Sequence, residues 1–234
     1  TLALTATATP RVQADLGAAF GIAPEHRVVL PPYRANIRRI CRPVADRMPA
    51  LLEFLGSGEH LPAIIYCRTR KETEWLAGQL ATRGYLAAHY HAGLPAEQRE
   101  QLQDAFLRNE ITVLVATIAF GMGIDKPDVR FVIHYDIPKS IEGYYQETGR
   151  AGRDGGEGQC IAFYNNKDLQ KLEKFLEGKP LAEQYIGRQL LHETTAYAES
   201  SVCRRKLLLH YFGESYDVEN CGNCDNCLSP KKQV

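Results

Sequence analysis

The chain has no surplus charge, no long apolar run and no phosphate-cradling loop, and each absence narrows what it can do. Its 28 lysines and arginines are matched by 28 aspartates and glutamates. No global positive field therefore draws it to nucleic acid, and any such binding must be local. The longest uncharged run, Ile111 to Ile124, has 14 residues and contains two glycines. A bilayer span needs about 20 apolar residues, so this run is expected to be a buried strand followed by a loop. A Gly-rich loop ending in Lys-Ser/Thr is missing, because the Gly178-Lys179 pair runs into Pro180. No acidic Asp-Glu box precedes Thr5-Ala6-Thr7, and no repeat or low-complexity tract occurs. What remains is 234 residues, 44% hydrophobic, enough for one large or two modest domains.

Four short apolar runs, Ala63 to Cys67, Thr112 to Ala116, Phe131 to Tyr135 and Gln159 to Tyr164, read as strands buried on both faces. They alternate with helical patterns at Lys71 to Arg83, Pro95 to Leu107 and Ser140 to Glu147, the signature of a parallel α/β sheet. Ligands of such sheets sit beyond the carboxyl ends of the strands, where the loops at Cys67 and Thr117 leave. From Lys167 onward the pattern is helical only: Lys167 to Leu176, Leu181 to Tyr197 and Ser201 to Phe212, with Gly213 placed for a left-handed cap. The expected fold is thus a parallel sheet flanked by helices, followed by a small helical lobe.

The stretch Gln146-Glu147-Thr148-Gly149-Arg150-Ala151-Gly152-Arg153-Asp154-Gly155 sets two arginines three residues apart among glycines. A planar, permanently charged guanidinium neutralises charge spread over phosphate oxygens during phosphoryl transfer. In isolation such a pair is a solvated helix end, but its surroundings reverse that reading. With the upstream stretches VATIAFGMGIDKP (115–127) and FVIHYD (131–136), the chain resembles the second RecA-like domain of a superfamily-two helicase. The wording GMGIDKPDVRFVIHYD and YYQETGRAGRDG is similar to that of the RecQ DNA helicases. Ile64-Ile65-Tyr66-Cys67-Arg68-Thr69-Arg70 resembles helicase motif IV, His91-Ala92-Gly93-Leu94 follows it, and Leu4-Thr5-Ala6-Thr7-Ala8-Thr9 resembles motif III.

That resemblance implies an ATP-dependent DNA helicase moving 3′ to 5′ on single strands in DNA repair and recombination. ATP and Mg²⁺ would bind in a cleft shared with a first RecA-like domain that carries the P-loop and acidic box. Residues 1–32 then read as the end of that domain and a linker, 33–166 as the second RecA-like domain, and 167–234 as a zinc-binding subdomain. The chain, starting at a threonine inside a motif, reads as a fragment unable to hydrolyse ATP by itself. By the same resemblance Arg153 is the finger, Arg150 its partner, and Gln146 the link between nucleotide cleft and DNA track. Gly123 and Asp125 would face the nucleotide. Asp125 either accepts a hydrogen bond from the ribose or caps the turn at Ile124.

The resemblance also implies DNA contacts from loops at strand ends, by Arg68, Thr69, His91 and Thr117, holding phosphate without reading bases. Thr117 could instead cap the next turn, and His91 could be a packed residue. Expected partners are single-stranded and partly duplex DNA and the first motor domain, with no membrane, in a cytoplasmic, nucleoid-associated setting. The family's aromatic-x-Arg-Pro-Asn segment reads Tyr33-Arg34-Ala35-Asn36 here, a departure that bears on linker geometry. A non-catalytic zinc module, or an RNA helicase of the same superfamily, are the competing readings.

Cys221-Gly222-Asn223-Cys224-Asp225-Asn226-Cys227 places three thiols at two-residue spacings, and Cys203 offers a fourth. Four thiolates make a closed tetrahedral site for a structural Zn²⁺. Disulfides would leave one of the three close thiols over, and a ferredoxin run would continue with a fourth Cys and Pro where Leu228-Ser229-Pro230 stands. Cys41, Cys67 and Cys160 lie in apolar settings and read as small buried hydrophobes. The segment from Cys203 to Gly213 resembles the zinc-binding subdomain that follows the RecQ motor. Arg204, Arg205 and Lys206 within it either offset the negative thiolate centre or touch DNA phosphates.

Overall fold

The computed structural model describes residues 2–5, 7–30, 33–56, 62–121, 125–165, 170, 172–174 and 176–230. Six strands form one parallel sheet: β1 (Ile37–Pro43), β2 (Ala63–Tyr66), β3 (Ala87–Tyr90), β4 (Val113–Ala116), β5 (Phe131–His134) and β6 (Gly158–Tyr164). Their order is β1-β6-β5-β2-β4-β3. β2, β4 and β5 are buried at every position, as central parallel strands must be when helices cover both faces. Successive side chains alternate between those faces. Ile65, Val113, Val115 and Ile133 pack with Leu51 and Leu55 of α2 (Arg47–Leu55) and Leu76 and Leu80 of α3 (Arg70–Ala81). Ile64, Leu114 and Val132 pack on the other face with Phe106 of α4 (Ala96–Leu107), Phe120 and Ala151.

Side-chain caps fix where the helices begin. The Thr69 hydroxyl accepts from the Glu72 amide at 3.2 Å, and the Ser140 hydroxyl from the Gly143 amide at 3.1 Å, opening α3 and α5 (Ile141–Thr148). These satisfy amides that have no partner inside the helix. The four expected strands and three expected helices of the sheet lie within two residues of the observed ends. β1, β3, α2 and an N-terminal helix α1 (Pro10–Phe20) were not legible as elements. In β1 three arginines interrupt the apolar run, although its inward positions Ile37, Arg39 and Cys41 alternate as a strand requires. The signal for α1 that went unread is Thr9-Pro10 at its start and Gly21 at its end, which the structure uses as N-cap, first position and left-handed C-cap at φ 63°.

The helical lobe follows the sheet. Residues 170, 172–174 and 176 of the expected first helix are helical, and its other residues lie outside the described ones. α6 (Leu181–Glu199), α7 (Arg204–Tyr211) and α8 (Asp225–Leu228) come next, and Gly213 ends α7's turn at φ 83°. A third core joins lobe to sheet: Cys41 of β1, Ile141 and Tyr144 of α5, Leu191 and Tyr197 of α6, and Leu208 and Phe212 of the α7 segment. β1 is an edge strand, and a bare edge invites pairing with another chain. Here Asp225 covers part of it, its Oδ2 accepting from the Cys41 amide at 3.0 Å.

Candidate active site and metal centre

The two arginines follow α5 in a loop held from below by buried side chains. Glu147 bonds the Nε2 of buried His134 at 2.6 Å, and Ala151 is fully buried. Gly152 adopts φ 56°, where a side chain is strained and a Cβ would lie 2.4 Å from the Gly156 carbonyl. The Gly152 amide donates to the Val129 carbonyl at 2.8 Å. Glycine is therefore required midway between Arg150 and Arg153 for chain geometry, beyond making room for a second surface.

The arginines differ in setting. Arg150 donates from Nη2 to the Gly121 carbonyl at 2.7 Å, so close that a Cβ on Gly121 would meet that nitrogen at 2.3 Å. Arg153 is over a third exposed and donates from Nη1 to Asp125 at 2.6 Å, a carboxylate that is itself 81% exposed. An exposed pair of this kind is worth about 0–1 kcal/mol, so an incoming phosphate can displace the carboxylate. The structure thus brings together Arg153 and Asp125, which lie 28 residues apart in sequence. Gln146, exposed on α5, donates from Nε2 to the Thr7 hydroxyl at 2.8 Å, joining Thr7 to the arginine-bearing segment. Gly123 lies outside the described residues.

The expected DNA-contact residues stand at the strand ends but are partly engaged. Arg68 pairs with Asp136 at 3.2 Å, and Arg47 reaches the same carboxylate at 3.5 Å. Burial pushes Glu72 up to about 7, and its hydrogen bond with Asp136 adds to the rise. Thr69 is exposed, its hydroxyl capping α3. Thr117 Oγ1 accepts from the Ala119 amide at 3.4 Å, so it caps its own turn. His91 is buried, with Nε2 3.0 Å from Glu74 and Nδ1 accepting from the Gly93 amide at 3.2 Å. Both ring nitrogens are thereby used, and the packed role weighed for His91 is the one the geometry supports.

In the lobe the Sγ atoms of Cys203, Cys221, Cys224 and Cys227 all lie within 4.8 Å of one another. Tetrahedral Zn–S bonds of about 2.3 Å require sulfurs about 3.8 Å apart, so the four residues fit a zinc ion. Cys203 and Cys224 stand at the starts of α7 and α8, where N–H groups favour thiolates. The Arg204 amide donates to Cys224 Sγ at 3.4 Å and the Cys221 amide to Cys227 Sγ at 3.3 Å. Burial raises all three thiols of the loop, taking Cys227 up to about 12, while at Cys221 the Asn223 and Cys224 amides and the Cys203 and Cys224 thiols together outweigh it and bring that thiol down to about 7. Cys41, Cys67 and Cys160 are buried within the three apolar clusters, as their apolar settings implied.

The two arginines of the basic run beside the thiols face inward. Arg204 is fully buried, donating to Asp225 from Nε at 2.9 Å and from Nη2 at 3.1 Å. Its guanidinium neutralises the carboxylate that covers β1, which removes it from any role on DNA phosphates. Arg205 is also buried and lies over the Tyr33 ring at 4.6 Å. Lys206 pairs with Glu219 at the surface. Arg34 and Asn36 also reach the arginine loop, contacts that spacing alone gave no reason to expect.

Comparison with known proteins agrees with this anatomy. Residues 46–155 match the helicase conserved C-terminal domain, and residues 166–228 match the RecQ zinc-binding family. The chain is 44% identical, over 99% of its length, to the ATP-dependent DNA helicase RecQ of Pasteurella multocida, of which it spans 37%. It is 41% identical over its whole length to the RecQ-like DNA helicase blm-1 of Caenorhabditis elegans, of which it spans 24%. Among solved structures, a DEAD box protein from Methanococcus jannaschii matches 78% of this chain with 48% of its own, at TM-score 0.53 and 26% identity. Saccharomyces cerevisiae Dbp5 bound to RNA and ADP BeF3 matches 80% of this chain with 54% of its own, at TM-score 0.59 and 24% identity, a likeness of fold.

Proposed function

The chain belongs to the RecQ family of DNA helicases, and on that premise we propose that it forms the C-terminal half of an ATP-dependent 3′ to 5′ motor acting in DNA repair and recombination. In this reading residues 1–32 belong with an upstream RecA-like domain and its linker, 33–166 form the facing domain, and 167–234 form the zinc-binding subdomain. The observation that carries it is the Gln146–Thr7 hydrogen bond. It seats Thr7, part of the motif that in the family ends the first domain, against the segment bearing Arg150 and Arg153. A cleft between two motor domains needs that juxtaposition.

ATP and Mg²⁺ would be held chiefly by the upstream domain, whose P-loop cradles the phosphates. From this side Arg153 would leave Asp125 and take the γ-phosphate, Arg150 would remain near Gly121 as the second positive charge, and Asp125 would turn to the ribose. Charge on the transferring phosphoryl group is spread over three oxygens, and a planar fork matches two at once. Gln146 would carry the state of the cleft to the DNA track. The four cysteines would hold Zn²⁺ as a closed structural site that supplies folding energy and no open coordination position.

Arg68, Thr69 and Thr117 supply the proposed contacts to single-stranded DNA, through side chains and backbone amides at strand ends. Such contacts read phosphate, so affinity should fall as salt rises and be indifferent to base order. Titration of labelled oligonucleotides of several sequences, across salt concentrations, is the test. A salt-independent affinity, or strong preference for one sequence, would contradict the proposal.

A further inference from the structure

Resting on the reading of Arg150 and Arg153 as the phosphate-facing pair, we infer that residues 33–36 form a strap through which the zinc lobe sets the position of the arginine loop, with Arg34 and Asn36 as positioning residues. On one side the strap grips the loop. Arg34 donates from Nη2 to the carbonyls of Ala151 at 3.2 Å and Gly152 at 2.5 Å. Asn36 donates from Nδ2 to the carbonyls of Gly152 at 2.8 Å and Gly156 at 2.7 Å, and its own carbonyl accepts from the Gly158 amide at 3.0 Å. The Gly155 amide also donates to Gly152 at 3.1 Å. The carbonyl between the two arginines therefore receives three donors, two of them from the strap.

On its other side the strap is gripped by the lobe. Arg205 donates from Nη1 to the Tyr33 hydroxyl at 3.0 Å and from Nη2 to the Ala35 carbonyl at 3.2 Å. Its guanidinium covers the Tyr33 ring, which also stacks at 6.4 Å on Tyr216. Asn223, inside the cysteine loop between Cys221 and Cys224, donates to the same Ala35 carbonyl at 3.2 Å. Arg205 lies two residues after Cys203, so both grips from the lobe come from segments that the thiol cluster orders. The side chains of 34 and 36 thus face the loop while 33 and the 35 carbonyl face the lobe. Loss of order at the cysteines would release Ala35, and with it the donors that fix Gly152.

Two variants separate this from a general loss of folding. Asn36→Ala removes two of the strap's side-chain donors to the loop, and Arg205→Gln removes the guanidinium that holds Tyr33 and Ala35, and neither replaces a cysteine. In this chain, both are expected to raise amide hydrogen exchange at Gly152, Gly155 and Gly156 about tenfold, as loss of hydrogen bonds to a partly exposed loop should, while zinc content stays unchanged. In the protein that includes the upstream motor domain, both should lower ATP kcat about 10- to 100-fold with KM for ATP little altered, because misplacing a reacting group by about 1 Å has that cost. Unchanged exchange in Asn36→Ala would overturn the grip on the loop, and unchanged exchange in Arg205→Gln would overturn the link to the lobe. Faster exchange with normal kcat, in a protein whose Arg153→Ala variant is inactive, would overturn the positioning role. If Arg153→Ala proves active, the functional reading fails by itself, and the exchange measurement still decides whether the strap couples lobe to loop.

Discussion

Replacement of Arg153 by alanine, in the protein that joins this chain to a P-loop domain, is expected to lower DNA-stimulated ATP turnover about a thousandfold or more while leaving ATP and single-stranded DNA affinity nearly intact. The expectation follows from where the side chain sits. Arg153 is over a third exposed and its carboxylate partner Asp125 is more exposed still, so truncation strands no buried charge and costs the fold little. On the proposed reading, what it removes is a guanidinium that meets its full complement of negative charge only in the transition state, and such interactions govern kcat. Arg153→Lys should restore little, because a point charge cannot bridge two oxygens as a planar fork does. Turnover and nucleotide affinity, measured side by side, check this. Near-normal turnover in Arg153→Ala would remove the residue from the mechanism.

Loss of the metal is expected to act on the lobe more than on the chemistry. Purified without added zinc, the chain should carry roughly one zinc, and Cys224→Ser should carry almost none, since a structural site depends on all four ligands. Apparent binding energies of structural zinc reach about 10–16 kcal/mol, far more than a lobe this small can draw from its own core. With the ion gone, α8 loses the turn that presents Asp225, and Asp225 covers the Cys41 amide and neutralises buried Arg204. The bare edge of β1 and an unpaired buried guanidinium would then favour aggregation, so solubility should fall sharply. Metal analysis, with solubility measured at matched concentration, is the check. A brown, iron-containing protein, or unchanged zinc content in Cys224→Ser, would contradict the assignment.

Much of this was legible from residue order because the physics was local. Runs such as Ile64-Ile65-Tyr66 and Val113-Leu114-Val115 are short and rich in β-branched residues, which favours two-sided buried strands, and Thr69 and Ser140 announce the helices that they cap. The cysteine spacing announced its cluster, although that Cys203 closes it depends on how α7 packs. Less legible was anything set by tertiary partners. β1 hides behind Arg38, Arg39 and Arg42, and its strand character comes from pairing with β6. Arg204 looks like a surface cation until Asp225 and the Tyr197 ring enclose it. His91 looks like a loop histidine free for phosphate until Glu74, on the preceding helix, takes its Nε2. The segment of Arg34 and Asn36 stood out only by its resemblance to a family segment, and its partners were not legible, because the carbonyls that they hold lie more than a hundred residues away.

The central claim is that this chain supplies one wall of a nucleotide cleft and that the other wall lies upstream. ATP hydrolysis measured on the chain alone, and on the protein that carries the P-loop domain before it, tests that claim most directly, with single-stranded DNA present in both. The account predicts no turnover above background for the chain alone and DNA-stimulated turnover for the longer protein, abolished by Arg153→Ala. Hydrolysis by the chain alone, or a longer protein no more active than its P-loop domain in isolation, would contradict it.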